Sequence, residues 1–215
     1  AQGDGIKGLI LDLRGNPGGL LKQSIKVADL LLSQGNIVNT RGRHPDSNQH
    51  YEAKDRNLAA GIPVAILVDG KSASAAEIVA AALQDRDRAV VIGTSSFGKG
   101  SVQTILPLPV EGGIRMTTAL YYAPNGNTIQ ARGVAPDIFL SPSKETKQRR
   151  ESDLPGALPA VGKEKWKAKN RPTVPEDACP PVGEKEDRQL GCALAFLHAG
   201  STKNFLAMID GRPRI

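Results

Sequence analysis

Short apolar runs, each followed by a turn and a helical pattern, constrain the fold of this 215-residue chain more than any other feature. Residues 9–13 are apolar except for Asp12, and residues 64–68 are apolar throughout. A strand that is apolar on both faces is typical of a parallel sheet that helices cover on both sides. We therefore predict an α/β fold built from βαβ units, whose crossovers place successive strands in parallel.

Helical periodicity follows the first turn. Four apolar residues recur on one helical face, namely Leu21, Ile25, Ala28 and Leu32. Gly35 is expected to end that helix. An alanine-rich helix is predicted over residues 75–83 and a third strand over residues 89–92. Added β-strands are predicted over residues 102–108, 114–122 and 137–140. Residues 1–140 are thus expected to form one core.

The segment after this core differs in composition. Residues 144–171 carry +5 of the net charge of +6, and residues 141–183 hold seven of the fifteen prolines without a strand or helix period. We interpret residues 141–183 as a proline-rich basic linker or wrap. A solvated connector is favoured over an arm for nucleic acid or anionic lipid. Trp166 alone makes no stacking platform, so no nucleic-acid partner is expected.

A helix that docks through one apolar face is predicted near the end of the chain. Leu190, Leu194 and Leu197 follow helical spacing over residues 184–197. Residues 184–215 are therefore predicted to form a C-terminal helical appendage. Two cysteines, Cys179 and Cys192, allow either one small disulfide or two buried thiols, and the sequence does not decide between them.

Histidine is scarce, which limits the available chemistry. His44, His50 and His198 do not form a metal-ligand pattern, so no metal site is expected. If the chain is an enzyme, its base is expected to be another residue type.

The loop of residues 93–99 has the pattern G-x-x-x-x-G-K of a phosphate-binding loop. A Walker-type loop continues with Ser or Thr and then a helix that faces the phosphate. Gly100 follows here instead, and residues 101–108 have the pattern of a strand. Nucleotide binding through Gly93 to Lys99 is therefore only a minor alternative.

Ser74 lies where a predicted strand passes into a helix. Ser74 and Glu77 match a capping box, which needs no catalytic role. A serine at a helix N-terminus beyond a parallel strand is also placed to act as a nucleophile, because backbone N–H groups there can stabilise an oxyanion. The G-x-S-x-G elbow of α/β-hydrolases is absent, since Gly70 and Ser72 are followed by Ala73 and Ser74.

A serine nucleophile needs a base, and with histidine unplaced the remaining candidate is lysine. A lysine acts as a base only when neutral, which burial or a nearby cation favours. Lys99 lies between two glycines beside Phe97 and precedes an apolar strand, a context that can desolvate an ammonium. Gln103 falls on the same side of that strand and can orient the amine. Ser96-x-x-Lys99 is a competing pair, which the flanking glycines disfavour because that motif needs a helix.

Asn16-Pro17-Gly18-Gly19 follows the first strand. Consecutive glycines before a helix are ordinary turn residues. They also expose N–H groups without side-chain obstruction, so one of them can donate to an oxyanion together with the N–H of Ala75.

Four stretches, in this order, resemble the carboxyl-terminal processing (tail-specific) protease family, whose members are serine peptidases with a Ser/Lys pair. They are residues 11–19 (LDLRGNPGG), 72–78 (SASAAEI), 97–103 (FGKGSVQ), and 121–126 (YYAPNG) with 133–138 (GVAPDI). The resemblance spans nearly all of residues 6–140. It implies that Ser74 rather than Ser72 is the nucleophile, that Lys99 is the general base, and that Gln103 positions the lysine.

The same resemblance implies an oxyanion hole formed by the N–H groups of Ala75 and of Gly18 or Gly19. It also implies a crotonase/ClpP-like α/β core. Lys71 and Ala76 depart from the Gly and Ser that the family often has, and neither change removes a catalytic group.

Further expectations follow from the family. It implies hydrolysis through an acyl-enzyme, without a metal or cofactor, of protein substrates with unstructured C-termini. It also implies a PDZ region elsewhere in the full-length protein and a periplasmic or otherwise extracytoplasmic location, which favours a Cys179–Cys192 disulfide. A homo-oligomer is left open. The rival hypothesis is a non-catalytic peptide-binding or assembly module with the same fold.

Overall fold

The computed structural model describes residues 5–143, 148–161 and 171–211. These ranges contain nine strands and four α-helices. The strands are β1 (Leu9–Asp12), β2 (Asn36–Gly42), β3 (Gln49–Glu52), β4 (Val64–Val68), β5 (Val90–Gly93), β6 (Ser101–Pro107), β7 (Gly113–Tyr122), β8 (Ile138–Ser141) and β9 (Thr173–Pro175). The helices are α1 (Leu21–Asp29), α2 (Ala75–Asp85), α3 (Arg188–Ala199) and α4 (Thr202–Ile209).

Several residues of the predicted arm and appendage lie outside these ranges. They are residues 144–147, residues 162–170 with Trp166, and residues 212–215. Within the described part of the chain, no helix combines the length and apolar character needed to span a membrane.

Five strands form a parallel sheet in the order β1-β4-β5-β8-β9. Alternate residues of its central strands enter opposite cores. Ile66 and Val91 pack in the core that includes α1 and α2, whereas Leu67 and Ile92 pack in the core that includes α3 and α4. All four are fully buried, because both faces of the sheet are covered. The predicted α/β fold with a parallel sheet is confirmed.

A second, antiparallel sheet has the order β3-β2-β7-β6. Its edge strand β6 begins two residues after Lys99. Residues 94–100, which we call the lysine loop, therefore connect the two sheets. The strands β6 and β7 were predicted, but β2 and β3 were not. Polar residues interrupt the apolar pattern of both strands. They are strands because β2 pairs with β3 and with β7 in the folded protein, which a local pattern does not show.

The first helix is shorter than predicted. It ends at Asp29 instead of continuing towards Gly35. The Asp29 carboxylate is buried and accepts a hydrogen bond from the Lys54 amide at 2.5 Å. Leu32 still reaches the core, but from the segment after the helix. The last residue of α1 is thus bonded to the segment after β3. The spacing of apolar residues alone does not predict this contact.

The described residues of the segment 141–183 contact the core, and two of these contacts bear on the site. Thr173–Pro175 forms β9, which pairs with β8 at the edge of the parallel sheet. The Glu151 amide donates to the Phe97 carbonyl of the lysine loop at 3.1 Å. The interpretation of this segment as a linker or wrap does not include β9, because three residues are too few to show a period.

The appendage forms two helices where one was predicted over residues 184–197. Asp187 caps α3 by accepting a hydrogen bond from the Leu190 amide at 2.9 Å. The fully or nearly buried face of α3 includes Cys192, Phe196 and Ala199, whereas Leu194 is exposed. The predicted leucine face is therefore wrong at Leu194, because the small residues Cys192 and Ala199 allow close packing on the sheet.

Cys179 and Cys192 form a disulfide, with their Cα atoms 5.1 Å apart. The bond joins the segment after β9 to α3, and both cysteines are buried. The disulfide therefore fastens the appendage next to the parallel sheet.

Replacing both cysteines by alanine is expected to lower the free energy of unfolding by about 3 kcal/mol, because closing a loop of this size restricts the unfolded chain. Urea unfolding without reductant measures the change. The wild type with reductant should shift by a similar amount, and an unchanged urea midpoint in both would contradict the prediction.

Candidate active site

Ser74 occupies a strained turn between β4 and α2. Its backbone has φ 55° and ψ −115°, and α2 begins at the next residue, Ala75. A non-glycine residue at positive φ is held there only when its surroundings enforce it, and such residues cluster at active sites. Ser74 thus has a strained backbone at the start of a helix, although the G-x-S-x-G motif is absent and residues 69–73 separate it from β4.

A glycine from another loop takes part in this turn. Gly18 has φ +96°, and a β-carbon on it would lie 2.6 Å from the Ala73 oxygen, 2.8 Å from the Ala75 nitrogen and 2.9 Å from the Ser74 β-carbon. Gly18 therefore lets the loop after β1 contact the Ser74 turn directly.

The substitution Gly18→Ala is expected to lower the free energy of unfolding by roughly 1–3 kcal/mol, because the new methyl overlaps backbone atoms at an unfavourable φ. Thermal unfolding measures the change. Gly19→Ala is the matched stability control, since a β-carbon there meets open space. Equal stability of the two variants would contradict the prediction.

The two predicted glycine donors differ in their hydrogen bonds. The Gly18 N–H already donates to Asn16 Oδ1 at 2.9 Å. Within the described residues, the N–H groups of Gly19 and Ala75 have no hydrogen-bond partner. Ala75 is the first residue of α2, where the N–H has no acceptor within the helix. The arrangement therefore favours Gly19 over Gly18 as the partner of Ala75.

The hydroxyl groups of the two alternative serines already form hydrogen bonds within the protein. Ser72 and Ser96 are both fully buried. The Ser72 hydroxyl donates to the Leu13 carbonyl at 2.7 Å and accepts from the Asp69 amide at 2.9 Å. The Ser96 hydroxyl donates to Glu77 Oε1 at 2.5 Å. Residues 94–100 are also not helical, so neither Ser96-x-x-Lys99 nor a Walker-type loop is favoured.

Glu77 joins the loops of the predicted nucleophile and base. Its Oε2 atom accepts hydrogen bonds from the amides of Ser74 (2.7 Å) and Lys99 (2.9 Å). Its Oε1 atom accepts from the Gly98 amide (2.7 Å) and the Ser96 hydroxyl. Burial raises the pKa of Glu77, and the four donated hydrogen bonds oppose that rise. The capping-box pattern predicted only the contact with Ser74; the bonds to residues 96–99 had no signal in the sequence.

The side chains of Lys99 and Gln103 are not joined to each other. Lys99 is half-buried, whereas Gln103 is exposed on β6 and accepts a hydrogen bond from Arg115 Nε. Among the described residues, no hydrogen bond connects Ser74 Oγ, Lys99 Nζ and Gln103. Catalytic hydrogen bonds are often long without substrate and shorten only in the reacting complex.

A cavity of about 700 Å³ lies beside the Ser74 turn, between the loops that surround it. It is lined by Pro17, Gly70, Lys71, Ala73, Phe97, Lys99, Gln148 and Arg149. The loop after β1, the Ser74 turn and the lysine loop all contribute to it, and residues 148 and 149 of the segment 141–183 complete one wall. A β-carbon on Gly70 would overlap the Gln148 side chain. This wall is a part of the site that sequence analysis did not predict.

Comparison with known proteins fits this arrangement of loops. A sequence model of peptidase family S41 matches residues 1–140, which include every predicted catalytic and oxyanion-hole residue. The chain belongs to peptidase family S41. The predicted resemblance to the carboxyl-terminal processing proteases, and with it the assignment to the serine-type peptidases, is confirmed.

Individual relatives of this S41 chain carry matching names. A carboxy-terminal-processing protease of Bartonella bacilliformis is 45% identical over 199 residues, which cover 93% of the chain and 46% of that protein. A chloroplastic C-terminal processing peptidase of Tetradesmus obliquus is 34% identical over 161 residues, 74% of the chain and 33% of that protein. The solved structure of the photosystem II D1 C-terminal processing protease superposes with a TM-score of 0.59 at 35% identity, covering 63% of the chain and 35% of that structure. The chain thus spans less than half the length of these relatives.

Proposed function

We propose that this chain is the catalytic core of a serine endopeptidase that cleaves proteins near their C-terminus, with Ser74 as nucleophile and Lys99 as general base. One observation carries the proposal. The amides of Ser74 and Lys99 donate to the same oxygen of Glu77, so the backbones of these residues are neighbours although they are 25 positions apart. The family match and the strained backbone of Ser74 support the same assignment.

The proposed reaction uses a neutral Lys99. Its amine takes the proton of Ser74 Oγ as that oxygen bonds to the carbonyl carbon of the scissile peptide. The carbonyl oxygen becomes an oxyanion, which the N–H groups of Gly19 and Ala75 stabilise. The Lys99 ammonium then gives the proton to the leaving amine, the C–N bond breaks, and an ester to Ser74 remains. Lys99 next accepts a proton from water as the water oxygen attacks the ester carbon. The Lys99 ammonium then gives that proton to Ser74 Oγ as the bond between the acyl carbon and Oγ breaks, which releases the acid product and restores Ser74 and neutral Lys99.

Gln103 remains a proposed orienting residue for Lys99. It must release Arg115 to reach the lysine amine, since the two side chains are hydrogen-bonded in this structure. Binding of an extended substrate next to β6 is the event expected to shift it.

The setting of the reaction is also a proposal. We infer a crotonase/ClpP-like core in residues 1–140, followed by the wrap of residues 141–183 and the appendage of residues 184–215. The substrates are proteins with unstructured C-termini, and a PDZ region is expected in the full-length protein. A periplasmic or otherwise extracytoplasmic location is supported by the disulfide, since disulfides persist in oxidising compartments.

Labelling with a fluorophosphonate tests the proposal, because this reagent phosphonylates activated serines. Peptide mapping of the full-length protein should locate a single adduct on Ser74, and Lys99→Ala should prevent it. Parallel assays follow cleavage of an unfolded protein with an apolar C-terminus. Binding of that protein without cleavage or labelling would favour the rival assembly module. An adduct on another serine with cleavage retained in Ser74→Ala would refute the assignment.

A further inference from the structure

Arg14 follows β1 and is held by two carboxylates, one two residues earlier at the end of β1 and one in the C-terminal appendage. Its Nε and Nη2 atoms donate to Asp12 at 2.9 and 2.6 Å. Its Nη1 and Nη2 atoms donate to Asp187 at 2.9 and 2.7 Å. Both contacts are bidentate, a geometry that fixes the plane of the guanidinium as well as its position.

The second carboxylate belongs to a part of the appendage that packs on the parallel sheet. Asp187 is the N-cap of α3, and α3 packs on β4 and β5. Cys192 of the same helix forms the disulfide with Cys179. Asp12 is the last residue of β1, two positions before Arg14, so it does not join Arg14 to another element. Asp187 does so with two short hydrogen bonds, and Gln189 Oε1 of α3 accepts a longer one from Arg14 Nη1 at 3.3 Å.

The loop that follows Arg14 is the one that holds the proposed oxyanion donor. Gly15 N–H donates to Asp69 Oδ1 at 3.0 Å, and the Asn16 carbonyl accepts from the Ala73 amide at 2.9 Å. Gly18 then contacts the Ser74 turn. A continuous path of hydrogen bonds and packing therefore runs from the appendage through Arg14 to the loop that supplies Gly19.

We propose that Asp187 is a positioning residue for the oxyanion hole. It acts through Arg14 on the loop of residues 15–19, which contains Gly18 and Gly19. The inference rests on the proposed function and extends it, because Asp187 lies outside the residues that the family model matches. The appendage thereby has a catalytic purpose: it fixes where the Gly19 N–H lies relative to Ala75. A donor displaced from the developing oxyanion loses most of its effect in the transition state, while substrate affinity changes less.

Electrostatics maintain this contact at neutral pH. The hydrogen bonds with Arg14 lower the pKa of Asp187. Burial alone would raise the pKa of Asp12, but the hydrogen bonds and charge of Arg14 outweigh it and lower that pKa as well. A carboxylate whose pKa is lower in the folded than in the unfolded protein stabilises the fold fully at a pH above its unfolded-state pKa. This stabilisation is lost as the pH falls through the folded-state pKa. Both carboxylates are therefore charged where the peptidase is expected to work.

The test is Asp187→Asn in the full-length protein. Asparagine retains a good N-cap but removes the charge that binds Arg14. We expect kcat to fall by about tenfold to a hundredfold with KM changed less than about threefold. Asp187→Glu, which restores the charge, should recover part of the loss. Asp177→Asn is the matched control, since it removes an exposed carboxylate near the same disulfide and should leave kcat unchanged.

The outcomes separate this inference from the proposed function. If Ser74→Ala is inactive but Asp187→Asn has the kcat of the wild type, the positioning role alone is refuted. A rise in KM with kcat unchanged also refutes it. If Asp187→Asn does not fold, Asp187→Ser provides a second N-cap without charge. Failure of both to fold would assign Asp187 to stability and overturn the inference. Retained cleavage in Ser74→Ala would refute the proposed function itself.

Discussion

Ser74→Ala is expected to reduce cleavage of an unfolded protein substrate by about 10⁴-fold or more while leaving the fold intact. The change removes the oxygen that bonds to the substrate carbonyl. The free energy of unfolding should change little, because alanine is no larger than serine and is similarly strained at this φ. Cleavage is followed by mass spectrometry of the fragments, and stability by thermal unfolding.

Lys99→Arg examines the proposed base in the same assay. Arginine retains the positive charge but does not deprotonate in proteins, so the variant should be as inactive as Ser74→Ala. Ser33→Ala and Lys22→Arg are matched controls at exposed positions. Activity within tenfold of the wild type in either active-site variant would be incompatible with a Ser74/Lys99 pair.

Glu77→Gln is expected to lower both stability and turnover. Glutamine has nearly the same size, but whichever way its amide turns, its NH₂ group faces at least one backbone N–H that donates to Glu77 in the wild type. A buried donor without an acceptor costs about 1–3 kcal/mol. The Ser74 and Lys99 loops also lose their common acceptor, so kcat should fall by about a hundredfold.

The pH dependence of stability gives a second measurement on Glu77. Because burial raises the pKa of Glu77, the folded protein loses stability as the pH rises from the unfolded pKa of this group through its folded pKa. Glu77→Gln should remove that part of the slope in urea unfolding measured across this pH window. Glu184→Gln, at an exposed position, should retain it. A variant with wild-type stability and turnover would show that Glu77 does not join the two loops.

Local patterns predicted the elements whose residues are sufficient to form them. The strand predicted over residues 64–68 has the bounds of β4, because five consecutive apolar residues fit a strand buried on both faces. The alanine-rich helix likewise begins at Ala75, where the Ser74 and Glu77 pattern marks its start. By contrast, β9 consists of three residues that form a strand only because β8 lies alongside.

Some features of the candidate site were likewise indicated by local sequence patterns, and others were set by the tertiary structure. The order and spacing of the motifs determined the family and pointed to Ser74, Lys99 and the glycines of residues 18 and 19 as candidate site residues, because these residues lie in short contiguous stretches. The positive φ of Ser74, the contact of Gly18 with its turn, and the hold of Asp187 on Arg14 were decided by the tertiary structure. Each depends on atoms that are distant along the chain and meet only when the sheet and its helices have packed, so no local pattern of residues can encode them.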